Sequence, residues 1–175
     1  MEEEDFPPQL ARSTLEEYLT SGKIIPPFSP VPKRFIGKAG VFVSLHKKRK
    51  LRGCIGTYLP TQPSVASEII KNAISAAVQD PRFPPVRLKE LADIKISVDI
   101  LSPPEVVHSK EELDPRKYGV IVSRDYQRGL LLPDLKGVDT VKEQLEIVKQ
   151  KAGLEGFLDE DLEIQRFTVT RYQEG

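Results

Sequence analysis

The stretch GVFVSLHKKRKLRGCIGTYL, residues 40–59, decides how this chain folds. GVFVSL (40–45) and KLRGCIGTYL (50–59) are apolar runs on either side of the polar turn HKKRK, the pattern of a β-hairpin. Side chains alternate along a strand. Arg52, Cys54 and Gly56 are therefore expected on one face, with Leu51, Gly53 and Ile55 on the other.

Outward from the hairpin, a first helix is expected over residues 7–21, opened by prolines and capped by Gly22. IIPPFSPVPKRF then carries too many prolines for a helix or a central strand and reads as an extended connector. After the hairpin, Val65, Ile69, Ala73 and Ala77 form the stripe of a second helix over about 63–79. IKISVDIL (94–101) alternates as a strand, and VIVS (120–123) with GLLLP (129–133) form another hairpin. Thr140 and Glu143 make a capping box for a helix over about 140–152, ended by Gly153. In the last strand, LEIQRFTVTRY, Leu162 and Ile164 share one face while Phe167 and Val169 belong to the other, so a bulge is expected near Gln165–Arg166. The order predicts an α+β fold with mostly antiparallel strands and hints at a duplication, each half offering a hairpin, a helix and a further strand.

Composition narrows the function. The chain of 175 residues is 39% hydrophobic and 30% charged, as expected of a single soluble globular domain. Lys+Arg and Asp+Glu are both 26, so no global electrostatic footprint for nucleic acid exists. The run KKRK (47–50) reads as a solvated hairpin tip without interleaved aromatics, rather than a nucleic-acid patch. No apolar run approaches the ~20 residues of a membrane span, and the acidic start MEEEDFPPQ shows no signal-peptide pattern, so a cytoplasmic protein is expected. Few Asn, Cys and Met beside many Lys, Glu, Arg and Pro is a heat-adapted composition.

The single cysteine excludes an internal disulfide and a Cys-rich zinc site. It leaves two readings of Cys54. If Arg52 lies beside it on one strand face, the cation stabilises the thiolate, the reactive form. Alternatively Cys54 is a small apolar side chain where glycines let backbones crowd together. Neither histidine, His46 or His108, has an evident place beside it. Asn72, the one asparagine, sits in an apolar helix, where it either holds a loop by hydrogen bonds or meets a ligand. In DPRF, Asp80 and Arg82 either pair with each other at a helix end or face a cleft, where Arg82 would bind a carboxylate or phosphate.

LRGCIG (51–56), NAISAAVQDPRFPPV (72–86), ADIKISVDILSPPE (92–105), GLLLPDL (129–135) and QKAGL (150–154) together resemble the AMMECR-type domain family, called protein A of the AmmeMemoRadiSam system in bacteria and archaea. The resemblance covers essentially the whole chain. It implies two similar β-α halves building one barrel-like sheet, helices outside, and a cleft between a larger and a smaller lobe. It places Arg52, Gly53, Cys54, Gly56, Asn72, Asp80, Arg82 and Phe83 on motif positions, with Glu105 and Pro133 also matching. It further implies partners, a Memo-type protein and a radical S-adenosylmethionine protein, and it supplies no reaction. The chain has neither a cysteine triad for an iron–sulfur cluster nor a histidine set for non-haem iron, so no metal or other cofactor is expected.

Two functions fit. In one, the chain binds or converts a small molecule. Cys54 attacks an electrophile, and Arg52 stabilises the thiolate or an anion. Gly53 and Gly56 let the substrate approach, Asn72 and Arg82 orient it, and Asp80 or Glu105 accepts a proton. In the other, it is a non-catalytic regulatory module that binds a protein partner, with nucleic acid the weaker alternative.

Overall fold

A computed structural model describes all 175 residues. Helix α1 (Phe6–Ser21) starts on Pro7 and Pro8, whose missing N–H groups the first turn does not use. It stops at Gly22, left-handed at φ +76°, whose N–H reaches the Tyr18 carbonyl at 2.8 Å. The proline-rich connector holds only one short helical turn, Lys33–Phe35. Strands β1 (Val41–Lys47) and β2 (Lys50–Thr57) follow, then helix α2 (Val65–Val78), whose N-cap Ser64 accepts the Ser67 N–H. Strand β3 (Ile94–Leu101) has the span its alternation predicts, and a short β4 (Glu105–Val106), which the sequence reading lacked, comes after it. The second hairpin is β5 (Gly119–Arg124) and β6 (Gln127–Leu131). Helix α3 (Val141–Ala152) carries the Thr140–Glu143 capping box and ends at left-handed Gly153. The chain closes with β7 (Glu163–Phe167) and β8 (Val169–Gln173).

The fold is α+β, but the expected single barrel-like sheet is replaced by two separate four-stranded sheets, ordered β2-β1-β3-β8 and β4-β7-β5-β6. They belong to two compact units. The larger comprises Met1–Leu101 with Thr170–Gly175, and the smaller comprises Ser102–Val169. In the first, α1 and α2 cover one face of the sheet, burying Val43, Leu45, Ile96 and Val98 against Leu10, Leu15, Ile69 and Ala73. In the second, α3 covers one face through Leu145 and Val148, which meet Val120, Val122 and Ile164.

The expected duplication has a structural counterpart. Each unit runs hairpin, helix, strand, and each sheet places the second hairpin strand at its edge, the first inside it and the post-helix strand next. The same glycine device recurs. A Cβ on Gly53 of β2 would collide with the Ala76 carbonyl oxygen of α2, and one on Gly129 of β6 would come to 2.7 Å from the Val148 carbonyl of α3. A bare backbone at each point lets the helix settle onto the sheet.

Three local expectations need correction. The first hairpin tip is not five residues but two, Lys48 and Arg49, both left-handed at φ 51° and 63°. The last strand has no bulge at Gln165–Arg166, since its register with β5 runs unbroken from Glu163 to Phe167. Its parity changes because both faces of this sheet bury side chains: Ile164 joins the α3 side, and Phe167 lies on the opposite face over Gly119. The chain breaks instead at Thr168, between β7 and β8. The third correction is a bulge in β2. His46 pairs with Leu51 and Leu45 with Gly53, which leaves Arg52 as the extra residue.

Gly53→Ala is expected to destabilise the protein by about 2–3 kcal/mol, since backbone must move to admit the methyl group. Gly37→Ala, with nothing within 4 Å of its Cβ position, should stay within about 0.5 kcal/mol. Paired urea melts check both.

Candidate functional site

The β2 bulge decides what surrounds Cys54. Directly paired residues share a face of the sheet. Cys54 therefore stands with Ser44 and Ser97 on the side away from α2, as do Gly56, Phe42 and Asp99. Because the bulge adds one residue, Leu51 shares this face, and the extra Arg52 is aimed elsewhere. The Arg52 guanidinium goes to Glu90, with Nε donating at 2.8 Å and Nη2 at 3.4 Å, while Nη1 is buried without a partner. Burial opposes ionisation of Glu90, but the Arg52 bonds and the Arg87 N–H hold its carboxyl below the usual range.

The cation beside Cys54 is instead Arg82. Asp80, 5% exposed, follows α2 and grips both partners. It accepts the Cys54 N–H at 2.9 Å, the Arg82 N–H at 3.0 Å, and Arg82 Nε and Nη2 at 3.0 and 2.8 Å. Arg82 Nη2 also donates to the Cys54 carbonyl at 3.2 Å. Hydrogen bonds from the Arg82 side chain lead in holding the Asp80 carboxyl far below the ordinary range, against the cost of burial and with help from the Cys54 N–H. DPRF thus pairs internally and also clasps the edge strand of the sheet. The Arg82 side chain remains 56% exposed and lies 5.5 Å from the centre of the Phe83 ring.

Cys54 itself is half-buried. Burial pushes its thiol up, more than the hydrogen bond from Ser44 Oγ at 3.2 Å and the charge of Arg82 bring it down, and Asp99 and Asp80 push it further up. The expected place of Arg52 beside the sulfur is not kept: Arg52 is committed to Glu90, and Arg82 is the cation whose charge acts on Cys54.

The remaining candidates divide. Gly53 and Gly56 are packing glycines, the first under α2 and the second against the Phe42 ring. Asn72 is 1% exposed and donates to the Val41 carbonyl at 2.9 Å and to Thr57 Oγ1 at 3.2 Å, tying α2 to the hairpin. Glu105 lies in the smaller unit, on β4, paired with Arg166 at 3.3 Å. The sequence reading passed over three groups. Glu68, fully buried in α2, accepts from Thr57 Oγ1, Thr61 Oγ1 and the N–H groups of Thr61 and Gln62. Asp99, 1% exposed, takes two 2.7 Å bonds from Arg171. Ser44 faces the sulfur. A carboxylate within an apolar helical run was the available signal for Glu68, whereas Ser44 required the strand register. No three His, Cys, Asp or Glu side chains converge as a metal site requires. No helix is long and apolar enough to cross a membrane. An apolar groove of about 460 Å³ between the end of α1, Ile24–Pro27 and α2 contains none of these candidates.

Two ββαβ units, the first carrying on its edge strand a lone cysteine clasped by an Asp–Arg pair from the loop after α2, make this an α+β protein of two similar halves. The AMMECR1 family profile matches residues 8–172, and the chain belongs to that family. A Thermotoga maritima protein is 60% identical over 161 residues, covering 91% of this chain and 92% of its own. A Clostridium acetobutylicum protein is 50% identical over 176 residues, covering 99% of this chain but only 37% of its own length. The crystal structure of an uncharacterised protein from Pyrococcus horikoshii superposes with a TM-score of 0.90 at 37% identity, covering 98% of this chain and 91% of that one. Thermophiles are among these sources.

Asp80→Asn is expected to cost about 2–4 kcal/mol at neutral pH, because it weakens a buried carboxylate's bonds to a guanidinium and two amides. The folded carboxyl titrates below its unfolded value of about 4, so its contribution is complete above that pH and is lost as pH falls through the lower folded value. The gap between wild type and variant in urea melts should therefore narrow from neutral pH to about pH 3 and below.

Proposed function

We propose that this chain is a non-catalytic binding module that offers the surface around Arg82 and Cys54 to a protein partner. One observation carries the proposal: the Arg82 guanidinium is more than half exposed, yet its Nε and Nη2 are fixed by a buried carboxylate. A cation held so firmly loses little side-chain entropy when an anion arrives, which favours recognition. The upward shift of the Cys54 thiol favours a contact role over a nucleophilic one. The partners proposed are the Memo-type and radical S-adenosylmethionine proteins that the resemblance implies. The long Clostridium relative supports a module that works joined to others, since this whole chain corresponds to 37% of it. A free thiol suits a cytoplasmic setting.

Alkylation of Cys54 by iodoacetamide, followed across pH beside glutathione, tests this. The folded protein should label more slowly than glutathione at neutral pH, with its rate rising only above the ordinary cysteine range. A rate already at its plateau near neutral pH would restore the cysteine-dependent enzyme. In pull-downs with the two partner proteins, Cys54→Ser should retain binding while Arg82→Ala loses about tenfold in affinity.

A further inference from the structure

The first hairpin tip is unusual in its chemistry. A two-residue turn with both residues left-handed favours Asn-Gly, because there a Cβ crowds the following carbonyl oxygen, which glycine avoids and asparagine offsets by local hydrogen bonds. This chain places Lys48 and Arg49 in it. Lys48, Arg49 and Lys50 are all exposed, and of the run only Lys47 is drawn into ion pairs, with Glu90 and Asp93. A protein with no net charge thus concentrates three uncommitted cations at a tip whose conformation they disfavour.

The tip leads into an open edge. β2 is the outermost strand of its sheet. In an antiparallel pair, alternate residues turn both N–H and C=O away from the partner strand. Counting from the hairpin closure at Lys47 and Lys50, those residues are Leu51, Cys54 and Gly56. The outward groups of Cys54 are covered by Asp80 and Arg82, which confirms the count. The groups of Leu51 face outward without such a cover, and its side chain is 39% exposed. From Lys50 to Cys54 the strand advances about 10–13 Å. The edge therefore offers cations at the tip, an apolar side chain with free peptide groups in the middle, and the Arg82 guanidinium at the far end.

We propose that this strip docks an extended acidic segment of a partner protein, with carboxylates about four residues apart and an apolar residue between them. A helix would bring such carboxylates to about 6 Å, too close to reach both cationic stations. Nucleic acid fits less well, because the outward Leu51 carbonyl repels phosphate and no aromatic accompanies the basic run. The proposal rests on the binding-module function, and the two fail separately: rapid neutral-pH alkylation of Cys54 removes that function, whereas peptide binding reads this strip alone.

The probe is a fluorescein-labelled, N-acetylated nonapeptide of alternating glutamate and valine, followed by anisotropy. Wild type should bind it, more weakly as salt rises, and should not bind the version with lysine for glutamate. The double variant K48N/R49G installs the preferred turn pair, so its melting temperature should equal or exceed that of wild type while affinity falls about tenfold. Methylating the peptide's backbone nitrogens should weaken binding similarly. Affinity unchanged in K48N/R49G or after methylation would overturn the proposal. So would no binding by wild type, tighter binding of single-stranded DNA in the same buffer, or concentration-dependent self-association that the peptide leaves untouched.

Discussion

The buried carboxylate of Asp80 joins two parts of the larger unit that the backbone ladder leaves separate, the outer strand and the loop after α2. One oxygen takes the peptide N–H of Cys54 on the outer strand, and both take the guanidinium two residues further along its own loop. A carboxylate this enclosed is tolerable only with its lone pairs filled, and here strand, loop and arginine all supply donors. Removing any one leaves the others facing an unsatisfied charge. Glu68 plays the same part at the other end of α2, where it gathers the Thr61 and Gln62 amides and two threonine hydroxyls. Between these anchors, Asn72 ties the middle of the helix to the hairpin. Polar groups in an otherwise apolar helix thus fix where the hairpin lies along it.

The two units form an internal comparison. Each lets its helix approach the edge strand at a glycine, Gly53 in one and Gly129 in the other. Each covers the outward carbonyl of the next residue with a cation: Arg82 reaches Cys54, and Lys151 reaches the Leu130 carbonyl at 2.8 Å. Edge strands expose unpaired peptide groups that invite association, and a side chain placed over them blunts that tendency. The recurrence in both halves marks the covering cation as part of how this architecture closes its edges.

Local periodicity made most elements legible. IKISVDIL, the capping box at Thr140 and the glycine stops at Gly22 and Gly153 depend on residues within a few positions, and the structure keeps all of them. The single barrel-like sheet was implied by the family resemblance and not by the alternation of any strand, and each half instead pairs four strands in a sheet of its own. The pairing of Arg52 with Cys54 failed for a different reason. Simple parity assumes an unbroken ladder, and the inserted residue at the bulge exchanges the places of Leu51 and Arg52. Asp80 and Arg82 were legible as a pair, but their hold on Cys54 spans 26 positions in the chain and appears only once the strand is folded beside the loop. Glu90 lies 38 positions from Arg52 and was hidden in the same way, whereas Ser44, 10 positions from Cys54, needed the hairpin register.

What the halves share is architecture, so their differences locate what is special to the first. The residue after the packing glycine is Cys54 in one half and Leu130 in the other. The covering cation is a lysine from the helix itself in the second half, whereas the first builds a separate loop in which a buried aspartate holds the arginine in place. The tips differ too: Lys48–Arg49 against Asp125–Tyr126. A lysine on a flexible stem suffices to cover a carbonyl. A planar guanidinium with three of its N–H donors fixed, two by Asp80 and one by the Cys54 carbonyl, and with Nη1 left over is more than that task requires, and Nη1 suits an incoming carboxylate. The first half therefore carries, beyond the shared frame, a rigid cation, a basic tip and an open stretch of strand edge between them, all on β2.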